Sequence, residues 1–248
     1  DRLQLYLEHD RPLEEPERAA MRGLLQRRGE GEPVAHLLGT WGFRALELEV
    51  GPSVLIPRPE TEELVDVALA RLAGRSSPAI LDLGTGSGAL AIALASEVPD
   101  AQVTAVDVSQ NALAVARSNA AGNGVADRVS FAHGSWWRGV EPGRQFDLVV
   151  SNPPYIDPDA PDGLADDVKT YEPPLALFSA PGDPASCYRE IAAELKQRLL
   201  PGGWFVAETG LGAAAPARDV VAEASGLQHV ELLQDASGKD RFVVAQRA

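Results

Sequence analysis

The sequence predicts an α/β fold in which helices cover both faces of a mostly parallel sheet. From Pro78 onward, apolar runs typical of buried strands alternate with helical segments, and repeated strand–helix units build parallel sheets. The first of these strands leads directly into a glycine-rich turn. At 248 residues and with one cysteine, Cys187, the chain can bury the core of one large domain, or of a main domain with a small appendage, without disulfides.

The N-terminal part of the chain lies outside this alternation. Apolar residues at helix-like spacing, interrupted by prolines, predict a small helical domain over residues 1–38. The chain begins at Asp1 without an initiator methionine, and the sequence leaves open whether residues precede it. Residues 39–57 are predicted to form a β-hairpin linker, since apolar and polar side chains alternate there around a Gly51-Pro52 turn. A helix from Glu60 to Leu72 should follow.

The later strands and helices follow in order. Residues 79–83 and 101–108 predict two buried strands with a helix between them. Ser109 is the expected N-cap of the next helix, because its side-chain oxygen can accept a backbone N–H, and Gly124 lies near the end of that helix. Further strands are expected in RVSFAH, FDLVVSN, GGWFVAET and DRFVVAQR, with helices near 185–199 and 212–225.

Composition narrows the class of protein. The formal net charge is −14, and an acidic chain offers few Lys and Arg contacts to phosphates, so no stable nucleic-acid binding is expected. The sequence has no charged-then-apolar leader and no apolar run of about 18 residues, which predicts a cytoplasmic protein with no membrane partner. The four histidines are scattered without ligand-spaced companions, so no metal site is expected.

The run LDLGTGSGAL places Gly84, Gly86 and Gly88 between the first strand and its helix. Glycines there let the backbone approach a ligand, and the helix N-terminus offers N–H groups to an anion. Asp107 ends the second strand, at a spacing typical of an acid that holds an adenosine ribose. S-adenosylmethionine and a nicotinamide dinucleotide both contain this ribose, so the pattern leaves both open. Asp82 is expected to bind loop amides or to face a ligand ammonium group.

The run VVSNPPYI ends a later strand in an amide, two prolines and an aromatic ring. The nitrogen of an amide or of a base amine attacks a methyl group poorly, because its lone pair is delocalised. The Asn152 side-chain oxygen and the Pro153 carbonyl can accept hydrogen bonds from such an NH₂ group and hold it in line for attack. Pro153 and Pro154 stiffen this backbone, and Tyr155 is expected to stack on the flat acceptor group. The alternative is a proline-rich turn with Tyr155 packed at its rim.

The segment 153–184 interrupts the strand–helix alternation and holds eight of the 19 prolines. A loop of this length inside a compact domain is usually functional or disordered, and its start at the candidate site favours a function. Between Asp157 and Asp183 it carries seven acids against Lys169. The sequence leaves open whether these acids are a solvated surface or a docking surface for a basic partner.

Together these motifs resemble those of class I S-adenosylmethionine-dependent methyltransferases. The closer resemblance is to the HemK/PrmC family of protein-(glutamine-N5) methyltransferases, which act on peptide chain release factors. It covers essentially the whole chain, in the blocks EPVAHLLG, VLIPRPETEELV, LDLGTGSGALAIALA, AVDVSQNALAVARSNA, VVSNPPYI, YEPPLAL and DRFVV. The resemblance implies a methyltransferase domain at 58–248, with a Rossmann-like seven-stranded sheet and one antiparallel strand, after an N-terminal helical substrate-recognition domain and the hairpin linker.

The resemblance also implies how S-adenosylmethionine would be held. The methionine part would lie in the glycine loop, against Gly84, Thr85, Gly86, Ser87 and Gly88. Asp107 would hold the ribose hydroxyls, and Trp136 would contact the adenine. Trp136 is preferred to its neighbour Trp137 because it follows a Gly-Ser pair, as the family aromatic does. Arg58 and residues 60–62 are expected to close the cofactor pocket, or merely to cap the helix.

The same resemblance implies a substrate site for the glutamine of the GGQ motif of release factors. It would consist of Asn152, Pro153, Pro154 and Tyr155, of which Asn152, Pro153 and Tyr155 are the expected catalytic residues; Asn152 would also contact the cofactor. Two departures put partner docking in doubt. Pro174 stands where the family usually has an arginine, and PGDPASCYR at 181–189 replaces a familiar G-x-D-G-L element.

Two other functions compete with this prediction. Amide-Pro-Pro-aromatic runs also occur in N-methyltransferases of exocyclic base amines in DNA or RNA, and a flipped base could use the same acceptors. The acidic charge and the family blocks disfavour that alternative. A nicotinamide-dependent oxidoreductase or a non-catalytic sensor would leave NPPY without a role.

Overall fold

In the computed structural model, which describes residues 2–161, 163–210 and 212–248, three helices and a hairpin precede a seven-stranded sheet. The helices are α1 (Arg2–Leu7), α2 (Glu15–Gly29) and α3 (Val34–Leu38). A reciprocal cap begins α2, because the Glu14 backbone N–H donates to Glu17 Oε2 at 2.8 Å and the Glu14 side chain accepts from the backbone in return. None of the residues of α2 is buried.

The hairpin consists of β1 (Thr40–Phe43) and β2 (Leu46–Glu49), which pair antiparallel. Its turn is therefore formed by Arg44 and Ala45, and the predicted turn at Gly51-Pro52 was wrong. Alternation of apolar and polar residues shows which side chains face the core, but it does not show which residues close the turn.

Tertiary contacts of Arg44 explain the position of this turn. The residue has a φ of 52°, which is uncommon for a side chain other than glycine. Its backbone N–H donates to Glu62 Oε1 at 2.9 Å, and its guanidinium forms ion pairs with Asp66 and Glu97. These three acids belong to helices that follow the hairpin, so the turn is tied to the main domain.

The main domain alternates helices and strands as predicted. The helices are α4 (Pro59–Leu72), α5 (Ala89–Glu97), α6 (Gln110–Gly122), α7 (Asp166–Tyr171), α8 (Pro174–Leu177), α9 (Ser186–Arg198) and α10 (Ala214–Glu223), with a 3₁₀ turn at Trp136–Gly139. The strands are β3 (Ala79–Leu83), β4 (Gln102–Asp107), β5 (Val129–His133), β6 (Phe146–Ser151), β7 (Leu199–Glu208), β8 (Leu227–Gln234) and β9 (Asp240–Arg247). Of these strands, β8 alone was not predicted from the sequence.

The strand order is β5-β4-β3-β6-β7-β9-β8, and β9 runs antiparallel to both of its neighbours. The other strands are parallel to one another, which confirms the predicted seven-stranded sheet with one antiparallel strand. Ser109 caps α6, as predicted, because its Oγ accepts the Ala112 N–H at 3.2 Å.

Both faces of the sheet are buried. Successive residues of a strand point to opposite faces, so Ile80 belongs to the core that the sheet shares with α4, α5 and α6, whereas Leu81 belongs to the core shared with α9 and α10. This arrangement accounts for the nearly uninterrupted apolar runs of β3 and β6. No helix in the described ranges combines the length and the apolarity that crossing a bilayer requires.

Candidate functional site

A pocket of about 330 Å³ opens at the carboxyl ends of β3, β4 and β6. β3 pairs with β4 on one side and with β6 on the other, and the chain order reverses its direction across the sheet at β3 and β6. Ligands of open α/β sheets bind at such a switch point. The pocket lies where the sequence analysis expected a ligand.

The glycine loop after β3 forms one wall of the pocket. Gly84, Gly86 and Gly88 have φ values of 75°, 55° and 86°, which other residues adopt with strain. A Cβ on Gly88 would also lie 2.8 Å from Ile92 Cδ1 and 3.2 Å from Ala116 Cβ, so a larger residue there would have to displace these side chains. Thr85 and Ser87, between the glycines, are buried and line the pocket.

Asp107 lies at the end of β4 and lines the same pocket. Its Oδ2 accepts the Gly86 N–H at 2.9 Å, and its Oδ1 accepts the Ser109 N–H at 2.8 Å. Each carboxylate oxygen can accept a second hydrogen bond, so the group can bind two ligand hydroxyls while it holds the glycine loop. Burial raises the pKa of Asp107.

Asp82 does not line the pocket; it supports the loop from below. Its Oδ2 accepts the Thr85 hydroxyl at 2.6 Å and the Ala91 N–H at 3.2 Å, while its buried Oδ1 has no partner in the described chain. Burial raises the pKa of this carboxyl to about 7. Of the two roles that the sequence left open, the contacts are those of binding the loop.

The two adjacent tryptophans have different environments. Trp136 lines the pocket, and its ring lies 3.5 Å from the position that a Cβ on Gly84 would take. Trp137 is buried in the core, where its Nε1 donates to the Ile191 carbonyl at 3.0 Å. Trp136 is therefore the tryptophan that can contact a ligand.

The NPPY segment leaves β6 between two cavities. Asn152 and Pro154 line the main pocket, Pro153 is buried, and Tyr155 lines a neighbouring cavity that also contains Gly210 and Arg241. A Cβ on Gly210 would overlap the Tyr155 ring, so the glycine makes room for that ring. Burial raises the pKa of Tyr155 to about 12, and its phenol is neutral at ordinary pH.

Two acceptors of this segment are free. The Asn152 Oδ1 and the Pro153 carbonyl accept no hydrogen bond from the residues that the structure describes. The other end of the Asn152 amide is used, because its Nδ2 donates to Thr61 Oγ1 at 3.3 Å. Asn152 lines the pocket, so its free Oδ1 can meet an incoming NH₂ group there, whereas Pro153 is buried behind it.

The segment after β6 folds back over the pocket opening. Pro173, Leu175 and Phe178 line the pocket from this side. Glu172 attaches the segment to the chain before α4, since its buried carboxylate accepts Arg58 Nη2 at 2.5 Å and the Ile56 N–H at 3.1 Å. Arg58 therefore holds the segment 172–178 over the pocket, although Arg58 does not itself line the pocket.

Among residues 60–62, which were expected to close the pocket, Thr61 lines it. Glu62 instead binds the hairpin turn through the Arg44 N–H. In the described chain, no group of three or more His, Cys, Asp or Glu side chains is arranged to hold a metal ion.

Comparison with known proteins identifies the family. The chain is 39% identical to a release factor glutamine methyltransferase of Rhodopirellula baltica, over 100% of this chain and 84% of that protein. It is 46% identical to a release factor glutamine methyltransferase of Neisseria gonorrhoeae, over 90% and 80% of the two chains. The chain belongs to the release factor glutamine methyltransferase family.

Two family models agree with this membership, and a solved structure shares the fold. The PrmC N-terminal domain matches residues 1–39, and the methyltransferase small domain matches residues 63–165. The fold resembles that of a ribosomal protein L11 methylase from Lactobacillus delbrueckii subsp. bulgaricus, with a TM-score of 0.56 and 21% identity over 77% of this chain and 80% of that one. At this identity the likeness shows the fold alone.

The two departures from the family blocks lie close to the pocket: Pro174 belongs to the segment that covers it, and Cys187, within 181–189, lines it. Pro174 occupies the first position of α8, where proline suits a helix start, and its side chain is exposed. Residues 181–185 lead into α9, and 186–189 form its first turn. Neither departure disturbs the pocket walls formed by the glycine loop and Asp107.

The residues that link the segments of the chain were not among those predicted from the sequence. Glu172 and Glu208 are buried acids distant in sequence from their partners. Asn119 is buried on α6, where its side chain pairs with both backbone polar groups of Glu49 and donates to the Ser87 carbonyl at 2.9 Å. An asparagine on the buried face of a helix was the available signal, because polar residues at such positions require partners.

Proposed function

We propose that this pocket transfers a methyl group from S-adenosylmethionine to the side-chain amide nitrogen (N5) of the glutamine in the GGQ motif of peptide chain release factors. The observation that supports it most is that the loop after β6 brings Asn152 to the pocket that the glycine loop and Asp107 form. A site for a nucleoside ligand and a site for a planar amide are thus adjacent.

The residues present fit S-adenosylmethionine. The glycine loop leaves space that a Cβ would fill, the Asp107 carboxylate can accept from ribose hydroxyls, and Trp136 offers a ring to the adenine. Thr85 and Ser87 would contact the methionine part together with the three glycines. When bound, the cofactor supplies an electrophilic methyl group on a positively charged sulfur.

The chain contributes the orientation of the attacking nitrogen. Asn152 Oδ1 and the Pro153 carbonyl would each accept one N–H of the glutamine amide, which fixes the nitrogen and favours the positive charge that develops on it. Pro153 and Pro154 restrict the backbone that carries these acceptors. Tyr155, whose phenol stays neutral, would pack against the amide plane from the neighbouring cavity.

We assign recognition of the protein substrate to residues 1–38, with 39–57 as the linker and 58–248 as the methyltransferase domain. The N-terminal helices expose large apolar side chains, which is typical of surfaces that contact a partner. These include Leu3, Tyr6, Leu7, Met21 and Leu25. A cytoplasmic location stays a prediction.

A transfer assay tests the proposed activity. Radiolabelled S-adenosylmethionine is incubated with the protein and a purified release factor, and we expect label on the factor that is lost when the GGQ glutamine is replaced. DNA and ribosomal RNA serve as competing substrates. Label on either nucleic acid, with the release factor unlabelled, would favour the base methyltransferase and contradict the proposal.

The variant Asn152→Ala tests the assignment of the acceptor. Removing one oriented hydrogen-bonding group from an active site typically costs about 2.7–4 kcal/mol, so kcat should fall by roughly 10²–10³. The dissociation constant for S-adenosylmethionine should change by less than about tenfold, since the glycine loop and Asp107 remain. Turnover at the wild-type rate would exclude the assigned role.

A further inference from the structure

A chain of hydrogen bonds leads from the candidate acceptor Asn152 into the core. Asn152 Nδ2 lies 3.3 Å from Thr61 Oγ1, and Thr61 Oγ1 lies 2.7 Å from Glu208 Oε2. Thr61 is 4% exposed and Glu208 is 2% exposed. Thr61 belongs to the first turn of α4, and Glu208 is the last residue of β7, so two separate elements meet behind the amide.

The donor and acceptor chemistry of Asn152, Thr61 and Glu208 fixes the direction of both hydrogen bonds when Glu208 is ionised. An ionised carboxylate can only accept, so the single proton of the Thr61 hydroxyl must point to Glu208. The Thr61 oxygen then has only lone pairs left for Asn152. It can be matched only by the NH₂ end of the Asn152 amide, and the carbonyl end must face the other way.

We infer that Thr61 and Glu208 are positioning residues that keep the Asn152 carboxamide oxygen turned toward the substrate. The two ends of an asparagine amide are nearly equal in size, so packing alone discriminates poorly between an acceptor and a donor facing the pocket. A reversed amide would present NH₂ to the NH₂ of the substrate. The inference rests on the proposed role of Asn152 and adds how the fold enforces it.

The ionisation of Glu208 is a condition of this arrangement. Burial raises the pKa of Glu208 to about 7, against the lowering effects of the Thr61 hydrogen bond, Arg241 and Arg58. The other titratable groups that act on it are Glu60, Tyr155 and Tyr188. When Glu208 is protonated, it can donate to Thr61, whose own proton is then free to point to Asn152, and the amide orientation is no longer fixed.

The variants Thr61→Val and Thr61→Ser separate positioning from packing. Valine keeps the shape of threonine but removes the hydroxyl, whereas serine keeps the hydroxyl and loses a methyl group. We expect Thr61→Val to lower kcat about tenfold or more, with the dissociation constant for S-adenosylmethionine within about threefold of wild type. Thr61→Ser should recover most of kcat. Thermal unfolding of both variants checks that the domain is folded.

The pH profile gives a second readout that a merely structural role would not change. In the wild type, kcat should fall as the pH drops below about 7, because Glu208 becomes protonated and the amide is released. In Thr61→Val this decrease should be absent, since the hydrogen bonds that link Glu208 to Asn152 through Thr61 are already lost. A decrease of the same size in both proteins would overturn the inference.

Parallel measurements on Asn152→Ala distinguish failure of the inference from failure of the proposed function. If Asn152→Ala is inactive while Thr61→Val turns over at the wild-type rate, Asn152 keeps its role, and the positioning role of Thr61 and Glu208 is refuted. Equal loss in the valine and serine variants, or weaker cofactor binding with unchanged kcat, also refutes it. Wild-type turnover of Asn152→Ala would instead remove the proposed role of Asn152 itself. Adding Thr61→Val to Asn152→Ala should lower the residual rate no further.

Discussion

Replacing Arg58 by methionine should loosen the segment that covers the pocket. The Glu172 carboxylate is buried and accepts from Arg58 Nη2 at 2.5 Å and from the Ile56 N–H at 3.1 Å. Methionine retains an apolar stem but provides neither charge nor donor, so Glu172 would keep a single amide partner. Leaving a buried charge without its counterion costs about 3–5 kcal/mol when the pair is fully buried.

The exposure of Arg58 lowers the expected free-energy cost of Arg58→Met below about 3–5 kcal/mol. The Arg58 side chain is 32% exposed, so water compensates part of the loss, and we expect about 2–3 kcal/mol. We expect this cost to fall on closure of the segment, because Pro173 and Leu175 directly follow the pair and line the pocket. Opening of the segment lowers the binding-competent fraction, so S-adenosylmethionine should bind more weakly, by up to roughly 30- to 150-fold if the whole cost falls on closure.

Isothermal titration with S-adenosylmethionine measures this change, and Glu172→Gln provides the matched control. A neutral amide needs no counterion, so adding Arg58→Met to Glu172→Gln should weaken binding by less than about fivefold. Urea unfolding monitors global stability in each protein. Unchanged affinity in Arg58→Met, or a double variant as weak as Arg58→Met, would refute the reasoning.

Two further predictions concern buried polar residues. Asn119→Ala removes the hydrogen bonds from α6 to the hairpin and to the glycine loop. We expect the free energy of unfolding in urea to fall by about 1–3 kcal/mol and S-adenosylmethionine to bind more weakly. Wild-type values of both quantities would contradict this prediction. The pKa of Glu208 is about 7 in the fold against an ordinary 4.5, so its ionisation opposes folding. The free energy of unfolding should therefore fall as pH rises from about 4.5 through 7, and Glu208→Gln should remove about 3 kcal/mol of that fall. Urea titrations across this pH range measure the change. The part of the fall in unfolding free energy that is due to Asp82, whose pKa is also about 7, should remain in the Gln variant. An unchanged pH dependence in that variant would show that Glu208 is not the group responsible.

Much of the fold could be predicted because its signals are local. Strand and helix alternation, the glycine loop and the Ser109 cap depend on residues a few positions apart. Their physical basis is backbone geometry and the hydrogen bonds of adjacent residues. The hairpin turn was misplaced because Arg44 is held there by acids from later helices, which no local pattern records.

The sequence by itself determined the class of site: a strand-to-glycine turn, an acid ending the next strand and an amide ending a later one. Parallel strands bring their carboxyl ends to one edge of the sheet, so recognising the strands places these motifs at the same edge. The tertiary structure places Trp136, which the family resemblance had favoured over Trp137, at the pocket. Only the tertiary structure decided which residues hold the covering segment and the Asn152 amide. Thr61 and Glu208 are 147 positions apart and Arg58 and Glu172 are 114 apart. Such partners become identifiable only when burial forces each polar group to find a hydrogen bond.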